Sequence, residues 1–297
     1  MSKFLAIKKK FESGQIKKSE FIKLMGELHT LLFDYQNLLN SSVAKKIEIS
    51  EAGIIVTLNS GIKLHCIVGD NRVVPIEILN FGNYEELLWD KFSKILNKPK
   101  TIFDVGANIG YFSLYMAKKF RGAKFYAFEP IFQTCEYLNK NIKLNKRLCN
   151  IGAYNLGLSN EKRAMEMFYN TKGCGGSSLK NISEESCVRK ITCEFSTIDD
   201  FVRENKIKGL DVIKCDVEGA EKLVYEGGIN TIKKFKPIIF SEMLRKWCAK
   251  FSYHPNDIIK LFRELGYKCF TMSEDSLTEV FEVTEETVET NFIFMPK

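Results

Sequence analysis

The sequence predicts an α/β fold, an open and mostly parallel sheet with helices packed on it, and three stretches carry that expectation. In Thr101 to Pro130, TIFDVGANIGYFSLYMAKKFRGAKFYAFEP, a short apolar run ends in Asp104 and opens into the glycine turn Gly106-Ala107-Asn108-Ile109-Gly110. A helical pattern follows, with Tyr111, Leu114, Tyr115 and Ala117 on one face, and a second strand-like run ends in Glu129-Pro130. In Leu210 to Glu221, LDVIKCDVEGAE, a buried strand ends in Asp216-Val217-Glu218 before a helix opens. In Pro237 to Glu242 a further apolar strand delivers another acid. Open α/β sheets bind ligands at the carboxyl ends of their strands. Asp104, Glu129, Lys214, Asp216, Glu218 and Glu242 are therefore expected at one mouth.

Strand, glycine turn, helix, strand and acid form the βαβ unit that binds a nucleoside cofactor, as in Rossmann-like sheets. Glycines admit the ligand to the backbone, and the acid after the second strand takes ribose hydroxyls. The spacing selects the cofactor. A dinucleotide needs G-x-G-x-x-G, with pyrophosphate on the helix N-terminus. Here Asn108 takes the middle position of Asp104-x-Gly106-x-Asn108-x-Gly110. That disfavours a nicotinamide dehydrogenase and suits S-adenosylmethionine, which has no phosphate to cradle and whose positive charge tolerates an acid before the turn. The other reading of the glycines is a tight strand-to-helix connection.

DVGANIG followed by AFEP, with Ser196-Thr197-Ile198-Asp199-Asp200-Phe201 and KCDVEGAE downstream, resembles the FkbM-like family of S-adenosylmethionine-dependent methyltransferases. The resemblance runs from about Pro75 to the C-terminus. It implies a class I methyltransferase sheet whose last strand is antiparallel, and O-methylation of a hydroxyl on a sugar, polysaccharide precursor or natural product. It also implies that the phrase GNYEE brings Tyr84 and Glu85 toward the cofactor; the alternative is that Glu85 and Glu86 only open a helix. Asp104, Gly106, Ala107, Asn108, Gly110, Glu129, Pro130 and Asp216 complete the expected cofactor set. Asn155 and Leu156 join it by position, after a third strand at Asn150 to Tyr154.

An alcohol does not ionise unaided at neutral pH, so its methylation calls for a base or a metal. The candidates are Asp216, Glu218, Glu242, Lys214 and His254. One carboxyl whose pKa is raised by its neighbours can be the base. Alternatively Asp216, Glu218 and Glu242 hold a hard divalent cation such as Mg²⁺. The plainer readings are that Glu218 and Glu221 stabilise a helix N-terminus, that Lys214 pairs with an acid, and that His254 is a surface loop histidine. An N-methyltransferase, which needs less help with deprotonation, and a non-catalytic cofactor-binding subunit are the rival functions.

Upstream, residues 19 to 39 predict one helix. Ser19 can cap it, and Phe21, Leu24, Met25, Leu28, Leu31, Leu32, Tyr35, Leu38 and Leu39 recur near period 3.5 as a seam to be buried, either within the chain or against a second copy in a homodimer. Residues 46 to 79 read as short strands, with Asn59-Ser60-Gly61 as a hairpin turn. The expected organisation is a helical segment over 1–42, a small β element and linking helix over 43–96, and the S-adenosylmethionine-binding domain over 97–297. Between two further strands, Ala164 to Tyr169 and Lys190 to Phe195, the loop GCGGSSLKNISEESC is either a flexible hairpin or a lid over the substrate.

With 297 residues, 45% of them hydrophobic, the chain can bury a substantial core. No apolar stretch is long enough to span a bilayer, and the N-terminus lacks the apolar core of a secretory signal. Nine scattered cysteines, without a C-x-x-C pair, point to the reducing cytoplasm. The net charge of +7 comes from dispersed lysines without zinc-knuckle or RNA-binding signatures, so no nucleic-acid partner is expected, although the charge leaves room for a modest preference for an anionic or phosphorylated substrate. The resemblance implies a small-molecule or carbohydrate acceptor.

Overall fold

The computed structural model describes residues 2–147, 150–182, 187–272 and 276–297. The chain opens with three helices, α1 (Lys3–Glu12), α2 (Lys18–His29) and α3 (Leu31–Asn40), none of which holds a buried residue. The single helix expected over 19–39 is therefore two. Thr30 separates them, and its hydroxyl donates to the Glu27 carbonyl at 2.7 Å, competing with the helical pattern. Ser19 does not cap α2, because Lys17 occupies the cap position. Nor is the apolar seam buried within the chain: Phe21, Leu24, Met25 and Leu28 are half-buried, while Leu31, Leu32, Tyr35 and Leu38 are exposed. Stacking of Phe11 on Phe21, with centroids 4.5 Å apart, holds α1 to α2.

Strands β1 (Ala44–Ser50), β2 (Gly53–Leu58) and β3 (Lys63–His65) form an antiparallel meander, followed by α4 (Val74–Phe81) and α5 (Glu86–Ile95). The core of this meander is continuous with that of the main sheet. Val56, Leu58, Ile62 and Leu64 belong to the same buried cluster as Ile102, Phe112 and Phe240.

The main unit continues through β4 (Thr101–Val105), α6 (Tyr111–Lys119), β5 (Lys124–Phe128), α7 (Phe132–Leu144), β6 (Asn150–Tyr154), β7 (Gly157–Leu158), β8 (Arg163–Asn170), β9 (Val188–Ser196), α8 (Ile198–Glu204) and β10 (Val212–Cys215). It ends with α9 (Glu221–Glu226), α10 (Ile229–Phe235), β11 (Ile238–Glu242), α11 (Arg245–Lys250), α12 (Pro255–Glu264), β12 (Tyr267–Met272), β13 (Leu277–Glu279) and β14 (Asn291–Pro296). Eight strands make one sheet in the order β13-β12-β14-β11-β10-β4-β5-β6. From β11 to β6 the pairs are parallel, whereas β14 runs antiparallel to β11 and to β12. β10 is buried throughout and β4 at every residue but Thr101, as strands covered on both faces require.

The amide side chains of α7 hold the meander against this sheet. Asn141 accepts from the His65 N–H at 2.9 Å, and Asn145 both accepts from the Lys63 N–H at 3.0 Å and donates to its carbonyl at 2.8 Å. Two side chains thus complete the free edge of β3. A second small sheet has the order β7-β9-β8. Among the described residues no helix is long and apolar enough to cross a membrane.

Candidate active site

The parallel strands β4, β5 and β10 bring their carboxyl ends to a cavity of about 340 Å³. Its first wall is the turn after β4. Gly106 has φ +74°, and a Cβ there would stand 1.8 Å from the Asp216 carbonyl oxygen, so only glycine lets the turn lie against the end of β10. The Gly106 and Ala107 N–H groups both donate to the Phe128 carbonyl, at 3.1 and 2.9 Å, which fixes the turn to the tip of β5. Asn108, also left-handed at φ +49°, donates its N–H to Glu129 Oε2 at 3.0 Å, while the Ile131 N–H reaches Oε1 at 3.0 Å. Glu129 is only 5% exposed, and burial pushes its pKa up to about 7.

The second wall is acidic. Lys214, opposite Asp104 in the β10–β4 register, donates to the Gly106 carbonyl at 3.0 Å and lies 3.2 Å from Asp216 Oδ2 and 3.6 Å from Asp104 Oδ1. Burial pulls the Lys214 pKa down, but the charges of Asp216, Asp104 and Glu85 outweigh it and hold the amine protonated. Burial, then the charge of Asp216, raises Glu85 to about 7. The same two causes, in the same order, raise Glu218 and Glu242, and Glu242 keeps its proton at neutral pH. Glu218 takes a left-handed φ of +54° at the turn into α9. Glu221 closes that turn by accepting from the Val217 and Gly219 N–H groups at 3.0 and 3.1 Å, the helix-opening role available to it in the sequence.

Of the residues singled out from the sequence, Tyr84, Glu85, Gly106, Asn108, Glu129, Pro130, Asp216, Glu218 and Glu242 line the cavity. The others stand elsewhere. Asp104 is fully buried behind the turn, where Ser113 donates to its Oδ2 at 2.6 Å. Ala107 and Gly110 are not among the residues lining the cavity, and a Cβ on Gly110 would meet Leu138 of α7 at 2.4 Å. Asn155 donates to the Glu129 and Pro130 carbonyls at 3.0 and 2.8 Å, bracing the β5–α7 turn from outside, and Leu156 packs in the core beyond it. Lys214 acts through Asp216 and Gly106 and does not itself line the cavity. His254 is remote: its Nδ1 accepts from the Asn256 N–H and caps α12 in a reciprocal box with Asp257. Asp216, Glu218 and Glu242 do not converge as ligands, and among the described residues no group of three or more His, Cys, Asp or Glu side chains could hold a metal ion. The Mg²⁺ expectation thus finds no donor set.

The sequence did not reveal the apolar wall formed by Ile131, Leu158, Met167, Leu179 and Phe195. Met167 and Phe195 come from β8 and β9, Leu158 from β7, Leu179 from the loop after β8 and Ile131 from the turn before α7, and only the strand pattern of the hairpin is visible in the sequence. The loop after β8 lines the cavity through Cys174, Gly175 and Ser177. It is tied down by the Cys174 N–H to Asp70 Oδ2 at 2.9 Å, by Cys174 Sγ to Asn108 Oδ1 at 3.2 Å, and by Ser178 Oγ donating to the Glu218 carbonyl at 2.8 Å. Residues 183–186 of that loop, and Cys149, lie outside the described residues.

The family model for the methyltransferase FkbM domain matches residues 104–269, from the acid before the glycine turn to the strand beside β14. The chain belongs to the FkbM methyltransferase family. Its sheet is of the class I methyltransferase type, the fold that binds S-adenosylmethionine. It is 34% identical over 173 residues to methyltransferase sdnD of Sordaria araneosa, covering 48% of this chain and 67% of that one. It is 28% identical over 163 residues to methyltransferase 1 of Beauveria bassiana strain ARSEF 2860, covering 48% of this chain and 65% of the relative. The match thus spans about two thirds of each relative. The solved methyltransferase FkbM of Methylobacillus flagellatus KT superposes with TM-score 0.44 at 14% identity, over 68% of this chain and 45% of that one.

Proposed function

We propose that this FkbM-family chain uses S-adenosylmethionine to methylate a hydroxyl of a small-molecule or carbohydrate acceptor in the cytoplasm. One observation carries the reading: the cavity has a buried carboxylate at one end and a group of carboxyls at the other. Each oxygen of Glu129 accepts a single backbone N–H, leaving lone pairs on both for the two ribose hydroxyls. The apolar wall from Ile131 to Phe195 suits the adenine ring. At the opposite end Glu85, Asp216 and Glu218 offer negative charge to a sulfonium. None of the eight described cysteines is in a disulfide, which supports a reducing compartment.

S-adenosylmethionine, when bound, supplies a methyl group on a positively charged sulfur that leaves as a neutral thioether. The chain's part is to align the hydroxyl, exclude water and accept a proton. Asp216 is assigned as the base. It stands at the cavity edge just past the end of β10, held by Lys214 at 3.2 Å, and its neighbour Glu242 is already protonated. The acceptor proton passes to Asp216 as the oxygen–methyl bond forms. Tyr84 and the Cys174–Ser177 loop roof the site against water.

Calorimetry with S-adenosylhomocysteine and a methyl-transfer assay test this together. The Asp216→Asn variant is expected to keep its affinity for S-adenosylhomocysteine while the rate falls by ~10²–10⁴, and EDTA is expected to leave wild-type turnover unchanged. Tight binding of a dinucleotide instead, or wild-type turnover in Asp216→Asn, would overturn the assignment.

A further inference from the structure

A second cavity, of about 790 Å³, opens off the first and shares with it Arg72, Tyr84, Asn108, Gly175, Glu218 and Glu242. We infer that it receives an acceptor bearing an anionic group, a phosphate or a carboxylate, besides the hydroxyl to be methylated. This rests on the methyltransferase reading above.

The inner chamber is the more acidic and the outer the more basic. Where they meet, Glu218 and Glu242 stand with Arg72, Tyr84 and Asn108. Across the outer chamber the described residues supply three cations, Arg72, Lys172 and Lys246, all exposed. Arg72 spends only its Nε on Glu77, at 2.8 Å. A guanidinium has five donors, so both terminal nitrogens are left without a partner among the described residues. Lys246 stands 4.3 Å from the centre of the Trp247 ring, and its charge is felt by Glu218. Lys172 lies on the other flank, where its N–H donates to the Asn170 side chain at 3.0 Å and its ammonium has no partner among the described residues. A planar fork and two point charges around one chamber match a phosphate or carboxylate.

The arrangement also orients the guest. The outer cations attract an anion, and the inner chamber adds acidic side chains and no cation besides Arg72, so the acceptor enters with its charge toward the mouth and its neutral hydroxyl toward Asp216. A neutral acceptor could take hydrogen bonds from the outer cations but would gain no charge pairing.

The test uses the full chain saturated with S-adenosylhomocysteine and follows Trp247 fluorescence. The other tryptophan, Trp89, is 2% exposed in the core, and Trp247→Phe identifies the signal. The probes are glucose, glucose 1-phosphate and glucuronate. Half-saturation with at least one anionic probe is expected at a concentration about tenfold or more below that for glucose, and the advantage should shrink in high salt. The Lys172→Glu/Lys246→Glu double variant should lose it about tenfold or more while binding S-adenosylhomocysteine as the wild type does. Preference for glucose 1-phosphate or for glucuronate names the anion. Equal titration by all three probes, no response to any, or an anion affinity untouched by charge reversal overturns the inference and leaves the methyltransferase reading standing. Failure of the wild type to bind S-adenosylhomocysteine overturns both.

Discussion

Replacing Glu129 with glutamine keeps the shape of the side chain and removes one acceptor. In the wild type each carboxylate oxygen accepts a backbone N–H, from Asn108 and from Ile131, both at 3.0 Å. Glutamine offers one oxygen and one amide nitrogen, so one of these N–H groups would face another donor in a site 5% exposed. An orphaned buried donor costs ~1–3 kcal/mol, a sizeable share of the ~5–15 kcal/mol that holds a domain folded. The ribose contact adds a separate loss. A hydrogen bond to a charged group contributes ~1.5–3 kcal/mol, which is ~10–150-fold in affinity. The pH dependence follows from the pKa of about 7. Below it the wild-type acid is protonated and resembles glutamine, and above it the carboxylate offers both oxygens. The gap between Glu129→Gln and wild type in S-adenosylhomocysteine affinity should therefore widen from pH 6 to pH 8. Calorimetry across that range, with urea unfolding to confirm a folded variant, is the assay. Unchanged affinity at pH 8 in a folded variant removes Glu129 from the ribose.

Glu85, raised to about 7 by burial and by the charge of Asp216, and Glu218, raised by the same causes, ionise as pH climbs. A sulfonium favours the ionised forms and a thioether does not. The affinity ratio of S-adenosylmethionine to S-adenosylhomocysteine should rise about fivefold from pH 6 to pH 8, for roughly 1 kcal/mol of charge pairing; a flat ratio would place the sulfur away from these acids. Gly106→Ala combines a left-handed φ with a Cβ 1.8 Å from the Asp216 carbonyl. Left-handed strain of ~1–2 kcal/mol and overpacking of ~1–3 kcal/mol should lower stability by ~2–5 kcal/mol, read as a drop in urea midpoint, and an unshifted midpoint contradicts the close approach. The exposed seam of α3 is expected to pair with a second copy, so sedimentation should give a dimer that deletion of residues 1–42 converts to a monomer. A monomer before and after deletion removes the pairing.

Local patterns in the sequence were enough to locate β4, β5, β6, β10, β11 and the turn between β4 and α6, because each is a short apolar run ended by a polar signal. What the sequence hid was non-local. Asp104 and Asp216 look alike as acids at strand ends, yet the pairing of β4 with β10 places Lys214 across from Asp104 and turns that acid into a buried partner. His254 reads as a loop histidine and a candidate base until Asp257 is seen to close a cap around it. Asn155 was placed correctly beside the strand tips, but its amide points at two carbonyls and away from the cavity. The seam over 19–39 has a helical period whether or not anything covers it, so periodicity alone could not decide its burial. The wall of Met167 and Phe195 needed the path of a hairpin, which spacing does not encode.

The near contact of Gly106 with the Asp216 carbonyl bears on how this protein can change over generations. On the proposed reading the donor half of the site rests on two adjacent strand ends packed main chain to main chain, and a single methyl group at residue 106 has no room there. The outer chamber is defined by side chains on separate connections, around Arg72, Lys172 and Lys246. Substitutions there leave the strand ends where they are. If the two chambers take acceptor and donor as proposed, the methylated molecule is free to diverge by ordinary surface replacements, while the methyl donor stays fixed by a spacing that tolerates none.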